Sequence, residues 1–370
     1  MQLQTKLYIN LFLIIALLFF GLNIKASEHE TDSLSEPGSK NEETFKPGEF
    51  IINHVIDNHE WHIAEISGTE ITIPLPIIVY SYKQGLLFFM SSKFEHGEKS
   101  YSGLKLETEG VNKGKIVEVL EDGNTVDEEA KLPLDLSITK IVSELFIVIF
   151  LMLWIFISVA KSYKRRQNLA PKGIQSLMEP LIIFVRDDIA RPSIGHTYQK
   201  YLPYLLTIFF FIFISNLLGL IPIFPGGANL TGNIAVTGIL ALFTFTITTI
   251  NANATYWKHI INAPGVPWWL KIPIPLMPIV ELIGVFTKPF VLMVRLFANI
   301  TAGHIIALGF FSLIFIFGKM SLGAGYGISV LSVIFTVFMS MLELLVAFIQ
   351  AYVFTLLSAI YFGLATEEHH

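Results

Sequence analysis

Residues 288–311 read KPFVLMVRLFANITAGHIIALGFF. The stretch is mostly apolar and exceeds the ~20 residues that a helix needs to cross a bilayer. Yet Arg295, Asn299 and His304 lie inside it. A charge near the bilayer centre costs at least ~2.5–3.5 kcal/mol on insertion scales. Arginine cannot escape that cost by losing its proton, because its pKa exceeds ~12. Arg295 must therefore face water, a counter-charge or both. Two readings follow. One is a structural ion pair inside a helix bundle. The other is a fixed positive charge beside an ion path.

The rest of the chain agrees with a membrane setting. Its 370 residues are 53% hydrophobic and only 15% charged, with 31 Phe, and the mean hydropathy is +0.60. Ordinary soluble domains carry more charge. Apolar runs concentrate after about position 138, which identifies an integral membrane protein. The formal net charge of −5 and the lack of a basic field argue against nucleic acid as a partner. The absence of cysteine excludes disulfides, thiolate metal sites and cysteine nucleophiles.

The expected fold is an all-α polytopic membrane protein with a small, partly β extramembrane domain before it. Residues 1–26 have an early lysine, a short apolar stretch and Ala26, the layout of a secretory signal peptide; a retained anchor is the alternative. Residues 27–47 read as an acidic flexible linker. Residues 48–136 hold short β-prone runs broken by Gly, Asn and Pro. Residues 137–370 form the membrane domain, with about five spans at 141–160, 201–222, 234–250, 278–317 and 327–364. The last two exceed the crossing length, so they must tilt or kink, and GKMSLGAGYG at 318–327 turns them into a hairpin. KSYKRRQ after the first span marks the cytoplasmic side. The N-terminal domain is then outside the cytoplasm, and the C-terminus inside. Residues 168–200 return along the cytoplasmic face.

The polar residues of the long spans fall into register. Glu281, Lys288 and Arg295 are spaced by seven, nearly two helical turns, and Asn299 extends their stripe. Lys288 can snorkel if it lies near an end. Glu343 and Gln350, also seven apart, share a face of the fifth span. A hairpin sets His304 and Glu343 at similar depth, where an imidazole and a carboxylate can hold or exchange a proton. Alternatively, these two are separate satisfied side chains, and Glu281 is a carboxylate at a span end without a role. Asn216 and Asn233, near span ends, are channel-lining groups, helix caps or interhelical bonds. His54, Asp57, His59 and His62 have metal-like spacing, but no second cluster supports a metal site. No Ser-His-Asp arrangement or Walker motif is present in a supporting context, so the chain by itself does not read as an enzyme, and no cofactor is expected.

KPFVLMVRLFANITAGH, LLVAFIQAYVFTLLSAIYFGLATEEH and FISNLLGLIP, within roughly 137–368, resemble subunit a of the F-type ATP synthase membrane sector. The joined RLFxNxxAG and IQAYVFxxL patterns are highly specific. The resemblance implies a stator subunit in a bacterial plasma (inner) membrane. Its partners would be a c-subunit ring, the b-subunit peripheral stalk, other synthase subunits and the lipid bilayer. It implies two aqueous half-channels, with Arg295 facing the ring carboxylates and Asn299 and Gln350 as its polar neighbours. His304 and Glu343 would be the imidazole and acid near the path. Glu281, Asn216 and Asn233 would line the outer access route. The 135 N-terminal residues depart from the family, whose outer segment is short. Two other classes remain open: an independent ion channel or secondary transporter binding an anion at Arg295, and a membrane anchor for the outer domain.

Overall fold

The computed structural model describes residues 57–66, 69–108, 112–120, 125–127, 130–165, 169–221, 226–261 and 276–366. The expected signal peptide, the acidic linker and His54 lie outside the described residues, as do the side chains of His62 and His304.

Among the described residues, seven short strands precede the long helices. β1 (Glu60–Ile66) and β2 (Thr69–Pro74) pair antiparallel. β3 (Pro76–Ser81) lies between β4 (Gly85–Met90) and β7 (Leu134–Asp135). β5 (Leu104–Leu106) pairs with β6 (Ile116–Glu118). Period-two alternation puts Ile77, Val79 and Ser81 of β3 on one buried face. Phe89, Phe94, Leu104 and Ile116 complete that small core.

The strands are bonded to the first helix, α1 (Lys140–Arg165). The chain leaving β7 donates from Leu136 to the Ile78 carbonyl at 2.9 Å and from Ile138 to the Pro76 carbonyl at 3.0 Å. The Ile141 amide donates to Asp57 Oδ1 at 3.0 Å. That carboxylate satisfies one of the free first-turn donors and sits at the positive end of the helix dipole. His59 Nε2 lies 2.7 Å from Asp135 Oδ2. Asp57 thus ties the segment before β1 to α1 and His59 ties it to β7, and among the described residues no cluster of three metal-type ligands exists.

Burial pushes the Asp135 carboxyl up, but bonds from His59 and from the Ser137 hydroxyl and amide outweigh it and hold the carboxyl below its usual value of 3.8. A depressed carboxylate contributes stability above its unfolded pKa and loses it as pH falls through the folded one. Asp135→Asn is therefore expected to raise amide hydrogen exchange across β3 and β7 at neutral pH. Wild type should follow only on acidification below about pH 4. Equal exchange in both proteins at pH 7 would contradict this.

Among the described residues, seven more α-helices follow. α2 (Ile174–Phe184) passes through a π-helical segment, Val185–Ala190, into α3 (Arg191–Ile194). Pro192, which cannot donate to the helical ladder, stands at the start of α3. α4 spans Tyr198–Gly219 and α5 Ile234–Asn251. α6 is Ala254–Ile261. α7 (Leu276–Met320) and α8 (Leu322–Thr366) have 45 residues each. At 1.5 Å per residue each is about 68 Å long, twice a ~30 Å hydrocarbon core, so both must tilt, bend or project. Stacked Phe310 and Phe335 rings, 5.2 Å apart, close them into the expected hairpin. α7 continues as one helix through Pro289.

Among the described residues, five helical stretches are long and apolar enough to span a membrane: Lys140–Arg165, Ile174–Gly219, Ile234–Asn251, Ile279–Lys319 and Gly325–Thr366. The protein is an all-α polytopic membrane protein with a small stranded N-terminal region. One boundary differs from expectation. The apolar stretch expected to begin near Tyr201 joins a helical path that starts at Ile174, because α2 is itself apolar and helical up to the π segment.

The bundle has two distinguishable ends. At one, α1 begins beside the segment 229–233. At the other, Lys200 of α4 bonds Asn251 of α5 at 2.6 Å, Tyr201 stacks on Phe362 of α8, and the Asn253 amide meets the Ala365 carbonyl.

Candidate functional site

The stripe that opened the sequence reading is divided by the way α7 packs. Leu292 and Leu296, one turn apart, are both 1% exposed and belong to the helix core. Arg295 and Asn299, also one turn apart, are exposed on another face. Val291 and Val294 beside them are exposed as well. Among the described residues no ion pair reaches Arg295. A permanent charge thus stands on an apolar, outward face of a hairpin long enough to cross a membrane. On α8 the small residues Ala347 and Ala351 are buried, and Gln350 between them is 5% exposed. Small residues allow close approach of membrane helices.

A polar grouping lies toward the strand end. Asn216 of α4 donates through Nδ2 to the Ala347 carbonyl at 3.3 Å. Its Oδ1 accepts the Thr231 hydroxyl at 2.5 Å. Thr301 of α7 donates to the Gly232 carbonyl at 3.4 Å. Glu343 of α8 is turned against α7 at Gly303, where an added Cβ would sit 2.7 Å from Oε1. That oxygen is buried without a hydrogen-bond partner. His304 is the next residue of α7. Asn233 caps α5, its Oδ1 accepting the Ala235 amide at 2.8 Å.

Gly303 is therefore a place where only hydrogen fits without moving the Glu343 carboxylate. Gly303→Ala is expected to displace the Glu343 side chain while leaving the helices paired. An intact hairpin with ion transport lowered about tenfold is the predicted result, on the scale of a misplaced proton-transfer group. Unchanged transport would show that the Glu343 position is irrelevant.

A second grouping lies at the opposite end. Lys288 Nζ stands 5.5 Å from the Tyr361 ring centroid. A crevice there is lined by Thr244, Thr248, Thr249, Tyr256, Lys288 and Tyr361, among others. Thr244 also bonds Tyr204 at 2.8 Å and Ser358 at 3.3 Å. Burial first, and then the nearby Glu281 charge, push the Tyr256 phenol up from its usual value. Glu281 thus belongs with Tyr256 and Lys288 at this end. The expectation placed it on one access route with Asn216 and Asn233. Glu281 starts α7, whereas those asparagines flank the turn between α4 and α5 at the other end.

Sequence reasoning missed Thr231, Thr301 and Thr244, whose hydroxyls look ordinary until their partners are known. It also passed over Glu144, although a carboxylate four residues inside the first span was visible.

The family model described as "ATP synthase A chain" matches residues 142–363. The chain belongs to that family. A second model, a domain of unknown function, matches residues 50–136. ATP synthase subunit a of Chloroherpeton thalassium is 45% identical over 243 residues, 64% of this chain and 69% of the relative. ATP synthase subunit a 2 of Chlorobaculum tepidum is 47% identical over 240 residues, 63% of this chain and 64% of the relative. The Myxococcus xanthus subunit a is 41% identical over 245 residues, 64% of this chain and 75% of the relative. The aligned part spans about two thirds of those relatives' length.

Proposed function

We propose that the chain is the proton-translocating stator subunit of a rotary ATP synthase, an ion-conducting partner of the complex and not an enzyme by itself. The observation that carries this is Arg295, a permanent charge on an outward apolar face with no counter-charge among the described residues. In a membrane such a group needs an anion brought by a partner. A ring of c subunits, each with a buried carboxylate, supplies one after another. Asn299, beside Arg295 on the same face, and Gln350 on α8 contribute amides near that contact.

Two half-channels fit the two polar groupings. The strand-end grouping of Asn216, Thr231, Glu343 and His304 leads protons from outside to the ring. The crevice with Glu281, Lys288 and Tyr361 leads them to the cytoplasm. A ring carboxylate is neutralised at the first, rides through lipid, and releases its proton at the second. Arg295 attracts the deprotonated carboxylate and repels a free proton, which blocks a direct leak. Each charge moved through 100 mV releases ~2.3 kcal/mol to drive rotation.

The orientation follows from KSYKRRQ after the first span: strands outside the cytoplasm, C-terminus inside, in a bacterial plasma membrane. Residues 1–26 serve as the signal peptide, 27–47 as a linker, 48–136 as the outer domain and 137–370 as the channel domain. The b-subunit stalk and the remaining synthase subunits are its other partners.

A cross-link tests the central contact. The chain has no cysteine, so Asn299→Cys introduces a single thiol on the Arg295 face. Disulfide formation with a cysteine placed beside the ring carboxylate is expected in the assembled complex. A complex that assembles but never forms this bond, although cysteines elsewhere on α7 do, sinks the assignment.

A further inference from the structure

Glu144 lies on α1, the helix that neither long span nor the Arg295 stripe involves. Its side chain is fully buried, and neither carboxylate oxygen has a hydrogen-bond partner. A buried carboxylate left unbonded is expensive and is seldom retained without a role. The backbone of Leu230 lies beside it. The next residue, Thr231, donates to Asn216, and the Gly232 carbonyl accepts from Thr301. Two residues beyond Thr301 is Gly303, against which Glu343 rests. Asn229, one residue before Leu230, has both side-chain polar atoms buried and unpartnered. The segment 229–233 therefore bridges α1 to the α7–α8 hairpin through polar groups whose hydrogen-bonding capacity is only partly used. Unfilled capacity of this kind suits water.

From this geometry we infer that Glu144 is a proton-carrying residue of the outer route, upstream of Glu343. The inference rests on the rotary reading above. Glu144 takes a proton from water on the outer side as the neutral acid. It releases one proton inward along water held by Asn229, Thr231 and Asn216, so charge balances at each handover. The described charges nearest it are Lys140, one turn earlier on the same helix, and through Lys140 the Asp57 carboxylate that caps α1. Both lie toward the outer surface, which puts the charged entrance on the side where the route begins.

The test uses the assembled complex in inverted vesicles, whose lumen is the outer side. Glu144→Gln is expected to slow ATP synthesis about tenfold, on the scale of a lost proton-transfer group. The response of the rate to lumenal pH should shift. Glu144→Asp should retain both. Lys140→Met should not reproduce the loss of rate, since it removes only a neighbouring charge and leaves the carboxyl in place. A Glu144→Gln complex with wild-type rate and pH response overturns the inference, as does Lys140→Met reproducing the Glu144→Gln effect. Access supplies a second readout. Glu144→Cys places the only thiol of the chain there, and silver ion admitted to the lumen is expected to block pumping. An unreactive thiol overturns the route. Where Glu144 variants fail to assemble, Thr231→Cys carries the same access test with the same two outcomes. Pumping that survives Arg295→Ala would instead refute the rotary reading, a separate result.

Discussion

Replacing Arg295 with alanine is expected to reduce ATP-driven acidification of inverted vesicles to below about a hundredth of wild type while the complex stays assembled. Losing a fixed charge at the transfer point is of that order. Passive proton leak should rise. The reasons are separable. Without the cation, a deprotonated ring carboxylate has nothing to meet on the apolar face of α7, so it cannot cross that face. Without its repulsion, protons pass between the two polar groupings directly. Assembly should survive because Arg295 is exposed, and the packing of α7 rests on Leu292 and Leu296. Arg295→Lys separates charge from shape. Lysine keeps a cation but can lose its proton when desolvated and lacks the planar fork. It should therefore suppress leak better than alanine yet couple poorly. Normal pumping in Arg295→Ala would leave the arginine as a structural group and favour an independent channel or an anchor.

The second large effect is on assembly. Gly363 of α8 lies directly against the Ser193 carbonyl of α3, and a Cβ there would overlap that oxygen. The obstacle is backbone, so it cannot rotate away. Gly363→Val should force α8 off α3 and disturb the nearby stack of Tyr201 on Phe362. Overpacking of this type destabilises by about 1–3 kcal/mol, occasionally more. The expected result is little or no subunit recovered in the purified complex, with Gly363→Ala intermediate. Full recovery of Gly363→Val would show that α3 and α8 do not meet this closely in the membrane. Gly327, which has open space around it, is the control position for the same substitution.

What sequence made legible was whatever depends on length and period. Runs of ~20 apolar residues gave the spans, and the glycine-rich 318–327 gave the hairpin. β-prone runs broken by Gly, Asn and Pro gave a partly stranded region, but not which side chains face inward. The seven-residue spacing set Glu281, Lys288 and Arg295 on one stripe. It said nothing about which end of the bundle they occupy relative to Asn216. End assignment depends on chain direction through every preceding span, which a resemblance does not supply. The roles of the asparagines separated only in three dimensions. Asn233 is a local cap, readable from the residues that follow it. Asn216 bonds Ala347, 131 positions away, and no local pattern announces such a partner. Glu144 was hidden by its neighbours: one carboxylate in an otherwise apolar span reads as an edge residue until it proves fully buried.

The buried seam formed by Leu292 and Leu296 has a mechanical consequence. On the proposed rotary reading, a charge that exchanges force with a moving rotor is useful only if its support does not yield. Side chains on the core face of α7 hold the helix like a keel, while Arg295 projects from another face. The two functions occupy different flanks of the same two turns. Stiffness can therefore be tuned without touching the charge. Trimming Leu292 or Leu296 to alanine would leave the arginine in place but make its mounting compliant, so that part of each proton's work is dissipated as recoil. Such a machine would still turn and still resist leak, yet would deliver less torque per ion.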